Sequence, residues 1–290
     1  MTTEYEMEYE DRCMYMAESH PLDEYLRQDR LPHIWCTGCG CGEILTAYIE
    51  SIIELKIDPD KVAVVSGIGC IGRAAGYLKF DSFHTTHGRP IPFATGLKVA
   101  NPKLDVTVIS GDGDLFAIGG NHVIHAARRN IEMLIICSNN FTYGMTGGQF
   151  SPTTPVDAFT TTTPYGNCEK PFNLPDLMAA AGATYVARWT SLHVRRLKDS
   201  IKEALMRKGL RFIEVLTPCP TGFGKRNKLG SAIDTAKYYQ DHMVIKHDAD
   251  TREVGLEDPR ADFIVGKFVD IEKETYLEAK ERIRTREVKK

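Results

Sequence analysis

Three apolar runs in the first half of the chain restrict its fold more than any other feature. They are KVAVVSGIG (61–69), DVTVISGDGD (105–114) and IEMLIICSNN (131–140), and each run ends in a polar or glycine-rich motif. Runs rich in Val and Ile, with apolar residues at successive positions, are typical of strands that are buried on both faces of a sheet. TYVARWT (184–190) and RFIEVLTPC (211–219) predict two further strands.

Helical patterns lie between these runs. From Cys41 onward the apolar residues recur at helical spacing, and one face carries Ile44, Leu45, Tyr48, Ile49, Ile52 and Ile53. FAIGGNHVIHAARRN (116–130) predicts a second helix, and LHVRRLKDSIKEALMRKG (192–209) predicts a third, with Ser191 as its cap. Buried strands that alternate with helices indicate an α/β fold, a doubly wound and mostly parallel sheet with helices on both faces. Ligands of such sheets bind at the carboxyl ends of the strands, where GIGC, SGDGD, SNN and TPCP all fall.

The composition excludes several classes of protein. The 290 residues are 42% hydrophobic and 26% charged, and the net charge of −3 predicts no attraction to nucleic acid or to membrane surfaces. The chain has no apolar run of membrane-spanning length and no secretory pattern at its start, so we expect a cytoplasmic protein. We divide the chain into an acidic N-terminal extension (1–30), one domain (31–224) and a charged C-terminal arm (225–290). The arm shows no strong strand pattern, and its end predicts a solvated helix.

The strongest local signal is GDGD, starting at Gly111, followed by Asn139 and Asn140 after an interval of 25 residues (114–138). Glycines let a backbone approach a diphosphate closely, and a helix that begins near Leu115 directs its amide groups at the phosphates. Asp112 and Asn140 offer the oxygen ligands that Mg²⁺ prefers. A tight turn at GDGD and the start of a loop at the two asparagines could account for the same sequence without a ligand. The interval, the intervening helix and the strand before each half favour a diphosphate and magnesium site, and the pattern resembles the thiamine diphosphate motif.

Four of the eight cysteines form a second candidate site. Cys36 and Cys39 make a CxxC pair, Cys70 ends a predicted strand, and Cys219 precedes Pro220. In a reducing compartment such a set indicates metal ligands or redox groups rather than disulfides. Four thiolates suit a [4Fe–4S] cluster, and they suit zinc as well, so the spacing alone does not separate the two.

The remaining cysteines and two histidines carry weaker signals. Cys41 starts a helix, Cys137 lies in an apolar strand as a small hydrophobic residue, and the irregular surroundings of Cys13 and Cys168 indicate no role. We exclude all four as ligands. His122 and His125 lie three residues apart on a predicted helix, where packing or surface placement is expected rather than a metal site.

The motifs together resemble the β subunits of the 2-oxoacid:ferredoxin oxidoreductases over about residues 31–224. In order they are WCTGCG (35–40), GIGC (67–70), HGR (87–89), GDGD (111–114), NN (139–140), YGMTGGQFSPTTP (143–155) and CPT (219–221). The resemblance implies one [4Fe–4S] cluster bound by Cys36, Cys39, Cys70 and Cys219, and Mg²⁺ bound by Asp112, Asn140 and the carbonyl of Thr142. It implies thiamine diphosphate contacts from Ile68, Gly69, Cys70, Ile71, His87, Gly113, Asp114, Gly144 and Met145, with His84 a weaker candidate, and a substrate contact from Thr146.

The same resemblance implies an activity and partners. The activity is a thiamine-dependent and coenzyme A-dependent oxidative decarboxylation of a 2-oxoacid, with electrons passed through the cluster to ferredoxin. This chain resembles only the diphosphate-binding half, so an α subunit has to supply the pyrimidine-binding domain with its activating glutamate, in an α₂β₂ assembly. We expect 2-oxoglutarate as substrate, then pyruvate, then branched or aryl 2-oxoacids. Gly147 stands where many relatives have a lysine that can meet the substrate carboxylate.

Two rival functions remain open on the sequence. One is a non-redox thiamine-dependent lyase subunit whose cysteines hold structural zinc. The other is an electron-transfer protein in which GDGD occurs by chance.

Overall fold

The computed structural model of the chain describes residues 20–258 and 261–287. Most of the predicted N-terminal extension, including Cys13, lies outside these residues. Among the described residues, no helix has both the length and the apolar character needed to cross a bilayer.

A single eight-stranded sheet organises the fold. The strands in chain order are β1 (Val62–Ser66), β2 (Asp81–His84), β3 (Asp105–Gly111), β4 (Met133–Asn139), β5 (Thr142–Tyr143), β6 (Gln149–Phe150), β7 (Tyr185–Thr190), β8 (Leu210–Leu216), β9 (Met243–Ile245) and β10 (Phe263–Asp270). The sheet order is β2-β1-β3-β4-β8-β7-β10-β9, and β5 and β6 pair separately as an antiparallel hairpin. The six strands from β2 to β7 are parallel to one another.

Helices cover both faces of this sheet. In chain order they are α1 (Cys41–Glu54), α2 (Ala74–Tyr77), α3 (Pro90–Ala100), α4 (Gly120–Arg128), α5 (Leu174–Ala181), α6 (Val194–Met206), α7 (Ala232–His242) and α8 (Tyr276–Glu287). Successive residues of a strand point to opposite faces, so Val64 joins the core beneath α1 and α6, whereas Val65 joins the core beneath α3, α4 and α5. The α/β fold with a mostly parallel, doubly wound sheet is confirmed.

Two predicted helices begin differently from the expectation. Ser191 is not the cap of α6, because the helix begins at Val194 and His193 occupies the capping position without a side-chain hydrogen bond. The segment after GDGD opens with one π-helical turn, Asp114–Ile118, before α4 begins. The wider turn brings the carboxylate of Asp114 back towards the strand ends.

The C-terminal arm contains strands that we did not predict. β10 pairs antiparallel with β7 and parallel with β9, so the arm extends the sheet that carries the site motifs. The sequence of β10 shows no clear alternation of buried and exposed residues. A register shift between Lys267 and Val269 interrupts the alternation. The exposed helix predicted at the end of the arm is present as α8. The division of the chain at residues 30 and 224 stays a prediction.

Candidate functional site

Five adjacent parallel strands end at one edge of the sheet, and each is followed by a predicted site motif. GIGC follows β1, HGR follows β2, GDGD follows β3, the second asparagine of NN follows β4, and CPT follows β8. Between these loops lies an open cleft of about 510 Å³, and all predicted magnesium, thiamine diphosphate and substrate residues line it: Ile68, Gly69, Cys70, Ile71, His87, Asp112, Gly113, Asp114, Asn140, Thr142, Gly144, Met145 and Thr146. The structure brings these residues together, and their individual roles stay predictions.

Asp112 lies at the base of the cleft with its carboxylate held in a fixed orientation. The hydroxyls of Ser151 and Thr153 donate to the same oxygen, Oδ2, at 2.7 and 2.6 Å. Burial raises the pKa of this carboxyl, while hydrogen bonds from Thr153, Ser151 and the backbone of Asn140 act in the opposite direction. A buried carboxylate without a cationic partner is costly, so a bound divalent cation would offset that cost.

Asn139 and Asn140 have different surroundings although they are neighbours. Asn139 is buried and faces away from the cleft, where its amide donates to Oε1 of Glu214 at 2.7 Å and its Oδ1 accepts from the backbone of Phe141 at 3.1 Å. Asn140 lines the cleft, and its Oδ1 accepts from the backbone amide of Thr142 at 3.3 Å. The first asparagine therefore fixes the turn, and the second presents its side chain to the cleft.

Asp114 connects three of the loops that form the cleft. Its Oδ1 accepts hydrogen bonds from the backbone amides of Gly88 (2.7 Å) and Ile68 (3.2 Å), and it pairs with Nδ1 of His87. Its Oδ2 accepts from the hydroxyl of Ser110 at 2.8 Å. Any side chain at Gly67 would displace this carboxylate, because a Cβ there would lie 1.9 Å from Oδ2. Asp114 thus braces the loops and orients His87.

The β5–β6 hairpin forms another wall of the cleft and contacts His87. The hydroxyl of Tyr143 donates to the carbonyl of Gly113 at 3.1 Å, and its ring lies edge-on to His87. Thr146, at the tip of the hairpin, bonds through its hydroxyl to Oε1 of Gln149 at 2.6 Å. Met145 beside it is 45% exposed, which leaves an apolar side chain at the open mouth of the cleft.

The predicted cluster cysteines lie directly behind this hairpin. Cys70 lines the cleft itself. The position that a Cβ of Gly144 would take is 3.3 Å from Sγ of Cys219, 3.6 Å from Sγ of Cys70 and 3.7 Å from Nδ2 of Asn140. The backbone of Gly144, which also lines the cleft, therefore lies close to two of the thiols. A larger residue at this position would fill the space that the thiols face.

The other two cysteines complete the set from the opposite side. Burial raises the pKa of Cys70 to about 11, and the negative charges of Cys219, Cys39 and Cys36 contribute to the rise. Cys36 is exposed, and its Sγ lies 3.8 Å from the hydroxyl of Thr221. The charges of the other three cysteines thus act on Cys70, and the thiols of Cys70 and Cys219 both lie close to Gly144. Bound iron or zinc would supply the positive charge that stabilises them as thiolates.

The chemistry of the donor set limits which metal group fits. Four thiols without a carboxylate or imidazole among them suit a [4Fe–4S] cluster, and they also suit tetrahedral zinc. Within residues 20–258 and 261–287, no group of three or more His, Cys, Asp or Glu side chains is arranged to hold a metal ion.

Several residues outside the predicted set support the site. The indole of Trp35 donates to the carbonyl of Cys70 at 2.7 Å and so ties the CxxC loop to the GIGC turn. Ser151 and Thr153, which hold Asp112, belong to the SPTTP segment, whose run of hydroxyl residues was the only signal for them.

The excluded residues lie in other surroundings. Cys137 is fully buried in β4 and Cys168 is exposed. Cys41 is buried beside Cys39, and a hydrogen bond from its side chain lowers the pKa of Cys39 to about 7. His122 and His125 border a separate groove between α3 and α4. His84 contacts the carbonyl of Gly72 through Nδ1 at 2.9 Å and does not line the cleft.

A fully buried ion pair stands behind the asparagine turn. Nε of Arg188 on β7 donates to Oε2 of Glu214 on β8 at 2.6 Å, and neither side chain has solvent exposure. The other carboxylate oxygen of Glu214 receives the amide of Asn139, and Nη1 of Arg188 donates to the carbonyl of Val254 in the arm. The pair thereby links the arm to the turn that carries Asn140.

Comparisons with known proteins agree with this geometry. Residues 67–215 match the family described as the C-terminal TPP binding domain of thiamine pyrophosphate enzymes, which is the class that the sheet and the cleft define. The 2-oxoglutarate synthase subunit KorB of Methanothermobacter marburgensis is 50% identical over 88% of each chain. KorB of Methanocaldococcus jannaschii is also 50% identical, over 89% of this chain and 95% of its own.

A less similar sequence and a solved structure also resemble this chain. The 2-oxoacid:ferredoxin oxidoreductase subunit beta of Saccharolobus solfataricus is 43% identical over 80% of this chain and 72% of its own. A structure of 2-oxoglutarate:ferredoxin oxidoreductase from Magnetococcus marinus, with 2-oxoglutarate, coenzyme A and succinyl-CoA bound, superposes with a TM-score of 0.81 and 34% identity. It covers 93% of this chain and 91% of that one. The chain belongs to the family of 2-oxoacid:ferredoxin oxidoreductase β subunits.

Proposed function

We propose that this chain is the β subunit of an enzyme that oxidatively decarboxylates 2-oxoglutarate to succinyl-CoA and CO₂ and passes the electrons through one [4Fe–4S] cluster to ferredoxin. The observation that carries the proposal is the position of Cys70. This residue lines the cofactor cleft and also belongs to the set of four neighbouring thiols. A site of carbon chemistry and a site of electron transfer therefore share one turn of the backbone.

Residues of the GDGD and asparagine turns would hold the cofactor. Asp112, Asn140 and the carbonyl of Thr142 offer three oxygen ligands to Mg²⁺, and Gly113 lets the backbone approach the diphosphate. When bound, thiamine diphosphate supplies the carbon nucleophile that the protein itself lacks. His87, held by Asp114, faces the cleft from the other side, where it can donate or accept a proton.

The cluster would be held by Cys36, Cys39, Cys70 and Cys219. Relatives at 43–44% identity are named 2-oxoacid:ferredoxin oxidoreductase subunit beta, which favours a redox cluster over structural zinc and weighs against the rival lyase subunit. The match to a thiamine pyrophosphate binding domain weighs against the rival electron-transfer protein. A bound cluster would supply one-electron transfer, and Cys70, which lines the cleft, would be one of its ligands.

A partner subunit follows from the incomplete cofactor site. The relatives are named as subunits, and the cleft between the loops is open to solvent on one side. We propose that an α subunit closes this side with the pyrimidine-binding domain and its activating glutamate, in an α₂β₂ assembly that works in the cytoplasm. Closure would exclude water from the reacting carbon and complete the acid–base groups.

The preference for 2-oxoglutarate rests on the relatives. Two archaeal proteins at 50% identity are named 2-oxoglutarate synthase, and the structure of the Magnetococcus marinus enzyme holds 2-oxoglutarate. Pyruvate is the second candidate. Gly147 has a φ of +119°, so the hairpin tip adopts a conformation that favours glycine, and a lysine at this position would be strained. A carboxylate-binding cation therefore has to come from elsewhere in the assembly.

The test is anaerobic purification of the chain with its α subunit, followed by iron, sulfide, zinc and thiamine analysis. We expect four irons, four sulfides and one thiamine diphosphate per chain, and reduction of ferredoxin that depends on 2-oxoglutarate and coenzyme A. Zinc without iron would support the lyase subunit, and a cluster without thiamine would support the electron-transfer protein. A panel with pyruvate and branched 2-oxoacids ranks the substrates by kcat/KM. The chain alone, reconstituted with its cluster and thiamine diphosphate, should not sustain ferredoxin reduction.

A further inference from the structure

The loop that carries Cys36 and Cys39 lies at the surface between two other segments. On one side, Gly40 is packed so closely against Ser191 that a Cβ would lie 2.5 Å from its side chain. On the other side, a Cβ at Gly38 would lie 2.6 Å from the side chain of Ala232, at the start of α7. The start of α6 and the segment between Cys219 and α7 therefore flank the exposed thiol of Cys36.

Both flanking segments carry exposed cations. Arg195 and Arg196 stand at the start of α6, and Lys225, Arg226 and Lys228 follow the CPT motif. We call these five residues the cationic rim. Among the residues that the structure describes, none of the five forms an ion pair, and Arg196 alone has an aromatic contact, with Trp189. Further along α6 the pattern differs, because Lys198 and Lys202 both pair with Glu54.

The helical geometry directs part of the rim towards the cysteine loop. Thr221, which contacts Sγ of Cys36, lies in a π-helical turn that continues into Lys225 and Arg226. Residues four or five positions apart in such a turn lie on the same face, so Lys225 or Arg226 shares the face of Thr221. Nε of Arg226 lies 3.5 Å from the position of a Cβ on Gly148. The rim thus extends from the cysteine loop to the hairpin of the cleft.

Carboxylates and apolar side chains also occur in this region. Glu43 lies at the start of α1, and Asp234 at the start of α7 is engaged by Ser231 in the capping of that helix. Three large apolar side chains are exposed in the flanking segments and in the loop before Cys36: Ile34 (63%), Leu192 (42%) and Ile233 (68%). Exposed apolar side chains together with charged ones are typical of a transient protein interface.

We propose that this surface docks an acidic iron–sulfur protein that accepts electrons from the cysteine-bound cluster. The inference rests on the proposed function and adds the docking site of its acceptor. The cationic rim attracts a negatively charged partner and raises the rate of encounter, while the exposed apolar side chains provide the contact. Each transfer oxidises the cluster by one electron and reduces the acceptor by one, with no proton or bond exchanged. The exposure of Cys36 keeps the path between the two clusters short.

The test uses the complete enzyme with its partner subunit. The rim variant carries Lys225→Gln, Arg226→Gln and Lys228→Gln, and the control variant carries Lys103→Gln, Lys246→Gln and Lys280→Gln, which removes the same charge from exposed positions elsewhere. Steady-state rates are measured with an acidic ferredoxin and with methyl viologen, at low and at high ionic strength. The visible spectrum of each variant reports whether its cluster is retained.

We expect the rim variant to raise the KM for ferredoxin at least about tenfold at low salt, with kcat and the viologen rate changed less than twofold. The difference from wild type should disappear near 0.5 M salt, where the screening length falls to about 4 Å. Equal KM values in the rim and control variants would overturn the proposal. If the rim variant lacks its cluster, the pair Arg195→Gln and Arg196→Gln decides by the same criteria. Failure of the proposed function gives a different result, because the wild-type enzyme would then reduce neither acceptor.

Discussion

The cofactor cleft differs from the cysteine loop, which Trp35 ties to the GIGC turn, in how the protein holds it. In the cleft, the carboxylates of Asp112 and Asp114 are buried and receive hydrogen bonds from hydroxyls and backbone amides on several loops. In the cysteine loop, Cys36 is exposed, and among the described residues Thr221 is the one side-chain hydrogen-bond partner of its thiol. The carboxylates of the cleft are therefore held by the protein itself, whereas we expect the thiolates of the cysteine loop to need a bound metal group.

This difference has a physical basis. The hydrogen bonds to Asp112 and Asp114 form when the strands and loops of the cleft fold. Mg²⁺ and a diphosphate therefore bind to a site that already has its shape. Four neighbouring thiols repel one another as they ionise, and they become stable as thiolates only when a metal group is bound. We expect loss of the cluster and loss of the cofactor to be separable, with the larger structural response on the cysteine side.

The largest effect is expected for substitution of a cluster cysteine. Cys219→Ser should abolish the visible absorption of the cluster and all ferredoxin reduction, because three thiolates do not hold it. Thiamine diphosphate should still bind within about threefold of wild type, since the hydrogen bonds of the cleft are independent of the cluster. Cys168→Ser, at an exposed position, is the control and should retain full absorption. Equal loss of cofactor affinity and cluster in Cys219→Ser would show that the two sites form one unit.

Asp112→Ala comes next. Without this carboxylate the diphosphate meets the site without its bridging cation, so thiamine diphosphate binding should fall by more than about 100-fold. Isothermal titration with Mg²⁺ present measures the change. Asn140→Ala should weaken binding severely, and Asn139→Ala much less. In all three variants the visible spectrum of the cluster should remain. Its disappearance in Asp112→Ala would contradict the separation of the two sites.

Glu214→Gln tests the buried pair behind the cleft. It leaves the guanidinium of Arg188 buried without its counter-charge, which should lower the free energy of unfolding by about 3–5 kcal/mol. Urea denaturation of the protein at fixed concentration reports this change. The double variant Arg188→Met, Glu214→Leu removes both charges and should recover much of the loss. A Glu214→Gln protein as stable as wild type would show that the pair contributes nothing to the asparagine turn.

Asp114→Asn is expected to have the smallest effect of the four. The amide keeps the shape of the side chain but loses the charge that holds His87, and the nitrogen that replaces Oδ2 cannot accept the hydrogen bond from the hydroxyl of Ser110. Cofactor affinity should fall about tenfold, as is common when a group that orients a ligand contact is altered. Thermal stability measured beside affinity separates the two consequences. Unchanged affinity would mean that His87 is positioned by other contacts.

Sequence patterns predicted one part of this molecule and not another. β1, β3, β4, β7 and β8 and the α/β class followed from apolar runs and alternation, since central strands carry a strong local signal. The convergence of Asp112, Asn140 and Cys70 followed from their positions after parallel strands. β10 has no such signal, and its pairing with β7 shifts register between Lys267 and Val269.

Local sequence patterns also do not predict the long-range contacts of the site. Ser110 lies in β3, Ile68 and Gly88 lie in two different loops, and nothing in their spacing indicates that one carboxylate, that of Asp114, binds them all. The pairing of Arg188 with Glu214 joins two strands whose charged residues would ordinarily be placed at the surface. Such contacts depend on how the elements pack, which a single sequence does not display.

The contacts of Arg188 with the carbonyls of Val254 and Ile264 also set an order of events during synthesis. The ribosome releases the chain from its N-terminal end, so every site motif, from the CxxC pair to the CPT segment, emerges first. The buried guanidinium meets its last carbonyl partners only after residue 264 has emerged. A nascent chain that stalls before this point carries all its cofactor ligands but lacks the interior that secures the asparagine turn.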